Sequence, residues 1–151
     1  MQEKLKIFRR GYVLGVDLQA MQPLGGVDFL SKADIQNPAV QRAISQRLKD
    51  RPVDCIISDM APSPTGSRTI DHERIIGLCH TVLKLISDDN ETKLKTSDNL
   101  AFLCKIWDGH LKKQFTNDVE SLFGNCRVVK PDASRSDSAE FYVFARKSVR
   151  S

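Results

Sequence analysis

The feature that most constrains this chain is an alternation of two patterns. Short apolar runs rich in branched residues are separated by stretches whose apolar residues recur at helical spacing. YVLGVDL (residues 12–18), VDFL (27–30), VDCIISD (53–59) and LAFLCKIW (100–107) are apolar almost throughout, as strands buried on both faces are. Asn37 and Pro38 open a helix with Val40, Ala43, Ile44 and Leu48 on one side, ending near Asp50 and Pro52. Ile75, Cys79, Val82, Leu83 and Ile86 define a second helix, and Leu111, Phe115, Val119 and Leu122 a third with Gly124 at its C′ position. Residues 126–129 and 141–145 complete the strands; with no helical pattern between them they can pair antiparallel. The polar residues 87–99 read as a loop. The pattern implies an α/β domain with a mostly parallel sheet and helices on both faces.

Composition narrows the function classes. The chain has 151 residues, 40% hydrophobic and 28% charged, which suits one ordinary folded domain. No apolar run approaches a membrane span. The four cysteines form no C-x-x-C pair, and Cys55 and Cys104 lie inside apolar runs, so all four are expected to be reduced core residues. His72, His80 and His110 lack metal-ligand spacing, which argues against a catalytic metal. No G-x-G-x-x-G loop joins a strand to a helix, which removes the main support for a dinucleotide-dependent dehydrogenase. The net charge is +4, and residues 127–151 carry an excess of basic over acidic groups; this permits an anionic partner without demanding one.

In open parallel sheets ligands bind beyond the carboxyl ends of the strands, so charged residues that close apolar runs are site candidates. Asp17 closes the first run, where an acid can accept hydrogen bonds from ribose hydroxyls or simply shape a turn. Asp34 follows the second run and has the same two readings. Asp59 ends VDCIISD about ten residues before the next helix, too far to cap it. Lys105 stands inside FLCKIW, where a lysine must snorkel, find partners or shift its pKa. Glu140 precedes FYVF, a place where a surface acid is ordinary.

Taken together, GYVLGVDLQAMQPLGGVDFL (11–30), SDMAPSPTG (58–66), FLCKIWDG (102–109) and KPDASRSDSAEFY (130–142) resemble the FtsJ/RrmJ family of S-adenosylmethionine-dependent rRNA ribose 2′-O-methyltransferases. Met60 looks like the family's bacterial and mitochondrial branch, and the LCKIW block leans toward its mitochondrial large-subunit uridine branch. The resemblance implies a Rossmann-like methyltransferase fold, S-adenosylmethionine as cofactor, and large-subunit rRNA or a ribosomal subunit precursor as partner. It also implies mitochondrial localisation, although MQEKLKIFRR is too short and Ser-poor to read as a transit peptide. A monomer acting away from membranes is expected.

Residue by residue, the resemblance implies that Asp59, Lys105 and Glu140 match three members of a Lys-Asp-Lys-Glu tetrad around the target ribose, with Lys105 as general base. It further implies that Asp17 holds the cofactor ribose, that Asp34 contacts the adenine, and that Asp59 borders the methionine end. Arg68, Lys112, Lys113, Arg135 and Arg146 are candidate phosphate contacts. The family's first lysine, first strand and glycine-rich loop have no counterpart, and residues 1–10 resemble neither element. The chain is therefore expected to be an incomplete domain over residues 11–147 with a short tail at 148–151. A gap is expected between the strands ending at Asp17 and Asp59, and little or no activity from this chain alone. Two other functions compete: a non-catalytic RNA-binding ribosome-assembly factor and a small-molecule Rossmann enzyme.

Overall fold

The computed structural model describes residues 11–88, 90–130 and 139–147. Its elements follow the sequence pattern closely: β1 (Val13–Asp17), β2 (Val27–Ser31), α1 (Pro38–Leu48), β3 (Val53–Ser58), α2 (Arg68–Lys84), β4 (Thr96–Trp107), α3 (Lys112–Phe123), β5 (Arg127–Val129) and β6 (Glu140–Arg146). The Asn37 side chain accepts a hydrogen bond from the Ala39 amide at 2.9 Å, with Pro38 in the first turn. Gly124 ends α3 at φ 78°, its amide donating to the Glu120 carbonyl at 2.7 Å. That left-handed position is open to glycine at no steric cost.

The strands form a two-stranded sheet, β1-β2, and a four-stranded sheet ordered β3-β4-β6-β5. β1 pairs parallel with β2 and β3 parallel with β4, whereas β6 runs antiparallel to both β4 and β5. The antiparallel pairing of the last two strands is as the sequence suggests, with β6 inserted between β4 and β5. Among the described residues no ladder links β1 to β3. The side chains of Leu14, Val16 and Leu30 nevertheless pack against the core that the larger sheet shares with the helices.

That core is one cluster. Leu100, Phe102, Cys104 and Ile106 of β4 and Val143 and Ala145 of β6 meet Ile44 of α1, Ile75, Cys79 and Val82 of α2, and Phe115 and Val119 of α3. Burial in β4 alternates strictly from Leu100 to Trp107, and Ala101, Leu103, Lys105 and Trp107 point to the other, half-buried face. The described helices thus share a single core on one face of β4, where the sequence pattern implied helices on both faces. The larger sheet is mixed rather than mostly parallel, because β6 runs antiparallel to both of its neighbours.

Two local readings change. The expected loop at 87–99 is shorter, because β4 begins at Thr96, where Val53 pairs with it before the register shifts at Cys55. Polar residues gave no apolar signal there, since Asp98 and Asn99 are exposed. Cys79 and Cys104 are buried and Cys126 is half-buried, but Cys55 is exposed. The reason is that among the described residues β3 has a ladder partner on one side only, and Cys55 lies on the half-buried face. Ile57, two residues on, is 71% exposed on the same face.

Phe115→Ala is therefore expected to destabilise the fold by about 3–5 kcal/mol, whereas Ile57→Ala changes stability by less than about 0.5 kcal/mol. Denaturant unfolding of the two variants checks the contrast; equal losses would contradict the one-sided core.

Candidate functional site

The carboxyl ends of β3 and β4 lie side by side because the strands are parallel, with Ser58 opposite Cys104. That register brings Asp59, just past β3, next to Lys105. β6 runs the other way, so its first residue, Glu140, sits opposite Trp107 and also reaches the same end. Lys105, Trp107, Glu140 and Tyr142 share one face, as alternate residues of paired strands must.

The Lys105 ammonium is 2.8 Å from Asp59 Oδ1 and 3.4 Å from Glu140 Oε1, and its side chain is only 11% exposed. Burial pulls its pKa down, but the hydrogen bond and charge of Asp59, with the charge of Glu140, outweigh burial and leave it above the ordinary lysine value. The cluster is therefore an ammonium held by two acids, and the amine must lose its proton before it can accept another. Three residues far apart in sequence thus converge in space.

Asp17 and Asp34 lie at the carboxyl edge of the smaller sheet. The Asp17 carboxylate accepts from the Gln19 amide at 2.8 Å, and Asp34 accepts from the Gln36 amide at 2.9 Å. Both acids thus shape turns, and a turn-forming carboxylate oxygen leaves the group able to accept further donors. Acceptors at the ends of β1 and β2 fit the hydroxyls and exocyclic amine of an adenosine. Among the described residues no group of three or more His, Cys, Asp or Glu side chains could hold a metal ion.

Arg68 begins near the carboxyl end of β3, and Lys112 and Lys113 open α3 after β4. Lys112 binds Asp108 at 2.9 Å and lies 3.8 Å from the centre of the Phe141 ring. Arg146 sits opposite Ala101, at the far end of β6 from Glu140; six residues of antiparallel strand separate them by about 20 Å. Arg135 falls outside the described residues.

Sequence reading passed over Asp71 and His72 in the first turns of α2. Asp71 is buried and accepts from the Thr65 amide at 2.8 Å and the Thr65 hydroxyl at 2.7 Å. The Thr65 hydroxyl, then the Thr65 amide, hold its pKa below the ordinary carboxylate value. It thereby pins the loop that follows Asp59. An acid in the first turn of a helix is the signal that could have marked it.

The family model described as FtsJ-like methyltransferase matches residues 1–148. The mitochondrial rRNA methyltransferase 2 of Caenorhabditis elegans is 46% identical over 136 residues, which is 90% of this chain and 63% of that protein. The ribosomal RNA large subunit methyltransferase E of Halorhodospira halophila is 38% identical over 141 residues, 93% of this chain and 63% of that protein. The chain thus spans less than two thirds of the length of these curated relatives. A crystal structure of a ribosomal RNA methyltransferase from Plasmodium falciparum superposes with a TM-score of 0.73 at 18% identity, covering 89% of this chain and 71% of that one. At that identity the likeness speaks for the fold.

Asp59→Asn removes the closest acid and is expected to lower the Lys105 pKa, with Glu140→Gln doing so less. Because the folded value is raised, the stability this cluster contributes is full below the ordinary lysine value of 10.5 and fades as pH rises through the folded value. Side-chain nitrogen NMR titration of Lys105 in the three proteins measures it; an unshifted midpoint in Asp59→Asn would contradict the geometry.

Proposed function

Because the chain belongs to the FtsJ-like methyltransferase family, we propose that it carries the ribose-facing part of an S-adenosylmethionine-dependent rRNA 2′-O-methyltransferase acting on large-subunit rRNA. The observation that carries this reading is the half-enclosed Lys105 ammonium between Asp59 and Glu140. A ribose hydroxyl barely ionises at neutral pH, so its alkylation needs a base held in line with the oxygen. Lys105 is the base, and Asp59 and Glu140 orient its Nζ and stabilise the ammonium that forms when the hydroxyl proton arrives.

S-adenosylmethionine supplies an electrophilic methyl group. The residues suited to hold it are Asp17 toward the ribose, Asp34 toward the adenine and Asp59 toward the methionine end. The raised pKa of Lys105 means that most molecules carry the protonated amine at neutral pH. The rate is therefore expected to climb as pH rises from neutrality toward the Lys105 pKa, because only the neutral amine accepts the proton.

rRNA is met through phosphate contacts by Arg68, Lys112 and Lys113, which begin α2 and α3 beside the site. The names of the relatives from C. elegans and Drosophila melanogaster include the word mitochondrial, which supports mitochondrial rRNA as substrate. The competing reading, an RNA-binding ribosome-assembly factor without catalysis, predicts rRNA binding with no cofactor binding.

Because the chain alone is expected to have little or no activity, the test joins it to the amino-terminal part of a full-length relative. The fusion is incubated with methyl-labelled S-adenosylmethionine and large-subunit rRNA, followed by alkaline hydrolysis. Label is expected in alkali-resistant dinucleotides, since a methylated 2′-oxygen cannot attack its phosphate. Lys105→Met is expected to lower the rate by about 10²–10⁴-fold. Label on a base, or a Lys105→Met rate equal to the parent's, would overturn the assignment.

The RNA contact has its own check. Replacing Lys112 and Lys113 by Ala is expected to flatten the plot of log binding constant against log salt by roughly 1 to 2 in slope. An unchanged slope would remove these lysines from the interface.

A further inference from the structure

His72 is 2% exposed, although it sits in the first turns of α2, where a solvated histidine would be ordinary. Its Nε2 accepts a hydrogen bond from the Leu111 amide at 3.0 Å, the residue immediately before α3. A ring nitrogen that accepts carries no proton, so the ring is neutral with its hydrogen on Nδ1. That Nδ1 is buried and lacks a well-formed hydrogen bond, although the Trp107 carbonyl at the end of β4 acts on the ring as a weak acceptor. A buried donor so poorly paired is costly, so packing around the ring helps to hold it.

Gly109 supplies that packing. A Cβ built on Gly109 would lie 2.4 to 2.6 Å from Cγ, Cδ2 and Nδ1 of His72. The backbone of the turn after β4 therefore rests directly on the imidazole, and a side chain at residue 109 would displace one or the other. The His110 ring completes the contact at 5.3 Å between centroids, tied in turn toward Glu73 at 3.6 Å.

The same turn reaches the site from two directions. It begins three residues after Lys105, and the Asp108 amide donates to the Ala139 carbonyl at 2.8 Å, next to Glu140. Its far end is clasped by Nε2 of His72, while the neighbouring Asp71 clasps the loop after Asp59 through Thr65. Adjacent residues of one helix thus hold the loop that follows Asp59 and the turn that follows β4, the strand of Lys105.

We propose that His72 is a positioning residue that, as a neutral imidazole gripping residues 109–111, sets the spacing of Glu140 from Lys105. The relevance to catalysis rests on the function proposed above; the structural coupling does not.

The test uses the ¹⁵N-labelled full chain. Long-range ¹H–¹⁵N spectra at neutral pH are expected to show His72 with an unprotonated Nε2 and a protonated Nδ1. His72→Leu keeps the bulk and loses the acceptor, whereas His72→Gln returns a carbonyl oxygen close to the place of Nε2. The Leu variant is expected to move the Leu111 amide resonance and lower the Lys105 titration midpoint by about half a pH unit, with the Gln variant restoring both.

An unchanged Lys105 midpoint in a folded His72→Leu protein, or a protonated Nε2 in the parent, would overturn the proposal. If circular dichroism shows His72→Leu unfolded, Gly109→Ala takes its place. That variant must push the ring and the turn apart, and an unmoved Lys105 midpoint there would overturn the proposal equally. None of these readouts needs methyl transfer, so a failure of the proposed function leaves them interpretable.

Discussion

A charged amine withdrawn from water must find opposite charge nearby, because leaving an ion unpaired in a low-dielectric setting costs several kcal/mol. Lys105 meets this demand with Asp59 on one side and Glu140 on the other. Each acid arrives by a different route: one at the end of a parallel neighbour, the other at the start of an antiparallel one. The order β3-β4-β6 is what lets a strand end and a strand start coincide. The arrangement of the sheet and the chemistry at its edge are thus two aspects of one constraint.

The supports of that cluster are polar and local. Thr65 and Asp71 shape the loop after β3, and His72 and Gly109 shape the turn after β4. Both anchors belong to α2, whose inner side is held by Ile75, Cys79 and Val82 in the apolar core. Packing energy from the core is in this way converted into placement of a few charged atoms, which is how rigid elements give precision to a site.

Much of this was legible in the sequence. The strand and helix order follows from two periodicities, and Asn37-Pro38 and Gly124 marked helix ends through side-chain chemistry that acts within a few residues. Asp59 and Lys105 stood out because a charge that closes or interrupts an apolar run demands a reason. Glu140 did not, since an acid at a strand start is unremarkable until its cross-strand neighbour is known. Thr96 to Asn99 escaped because this first stretch of β4 precedes its pairing with β6, where apolar residues are not needed. Cys55 and Ile57 misled because apolar sequence reports the capacity to be buried, while burial depends on what lies alongside. His72 and Gly109 form a contact across 37 positions of chain, and no local pattern encodes it.

The division of the strands into β1-β2 and β3-β4-β6-β5 has an energetic consequence. The two sheets are joined by side-chain packing of Leu14, Val16 and Leu30 and by no strand ladder among the described residues. Elements joined to a larger sheet by side-chain contacts without a strand ladder open at lower free energy than those inside the ladder. Amide exchange of β1 and β2 should accordingly outpace that of β4. Since Asp17 and Asp34 sit on the looser sheet and Asp59 on the firmer one, a ligand that touches all three would act as a clasp across two cooperative units. Its affinity would contain the cost of stilling the weaker unit.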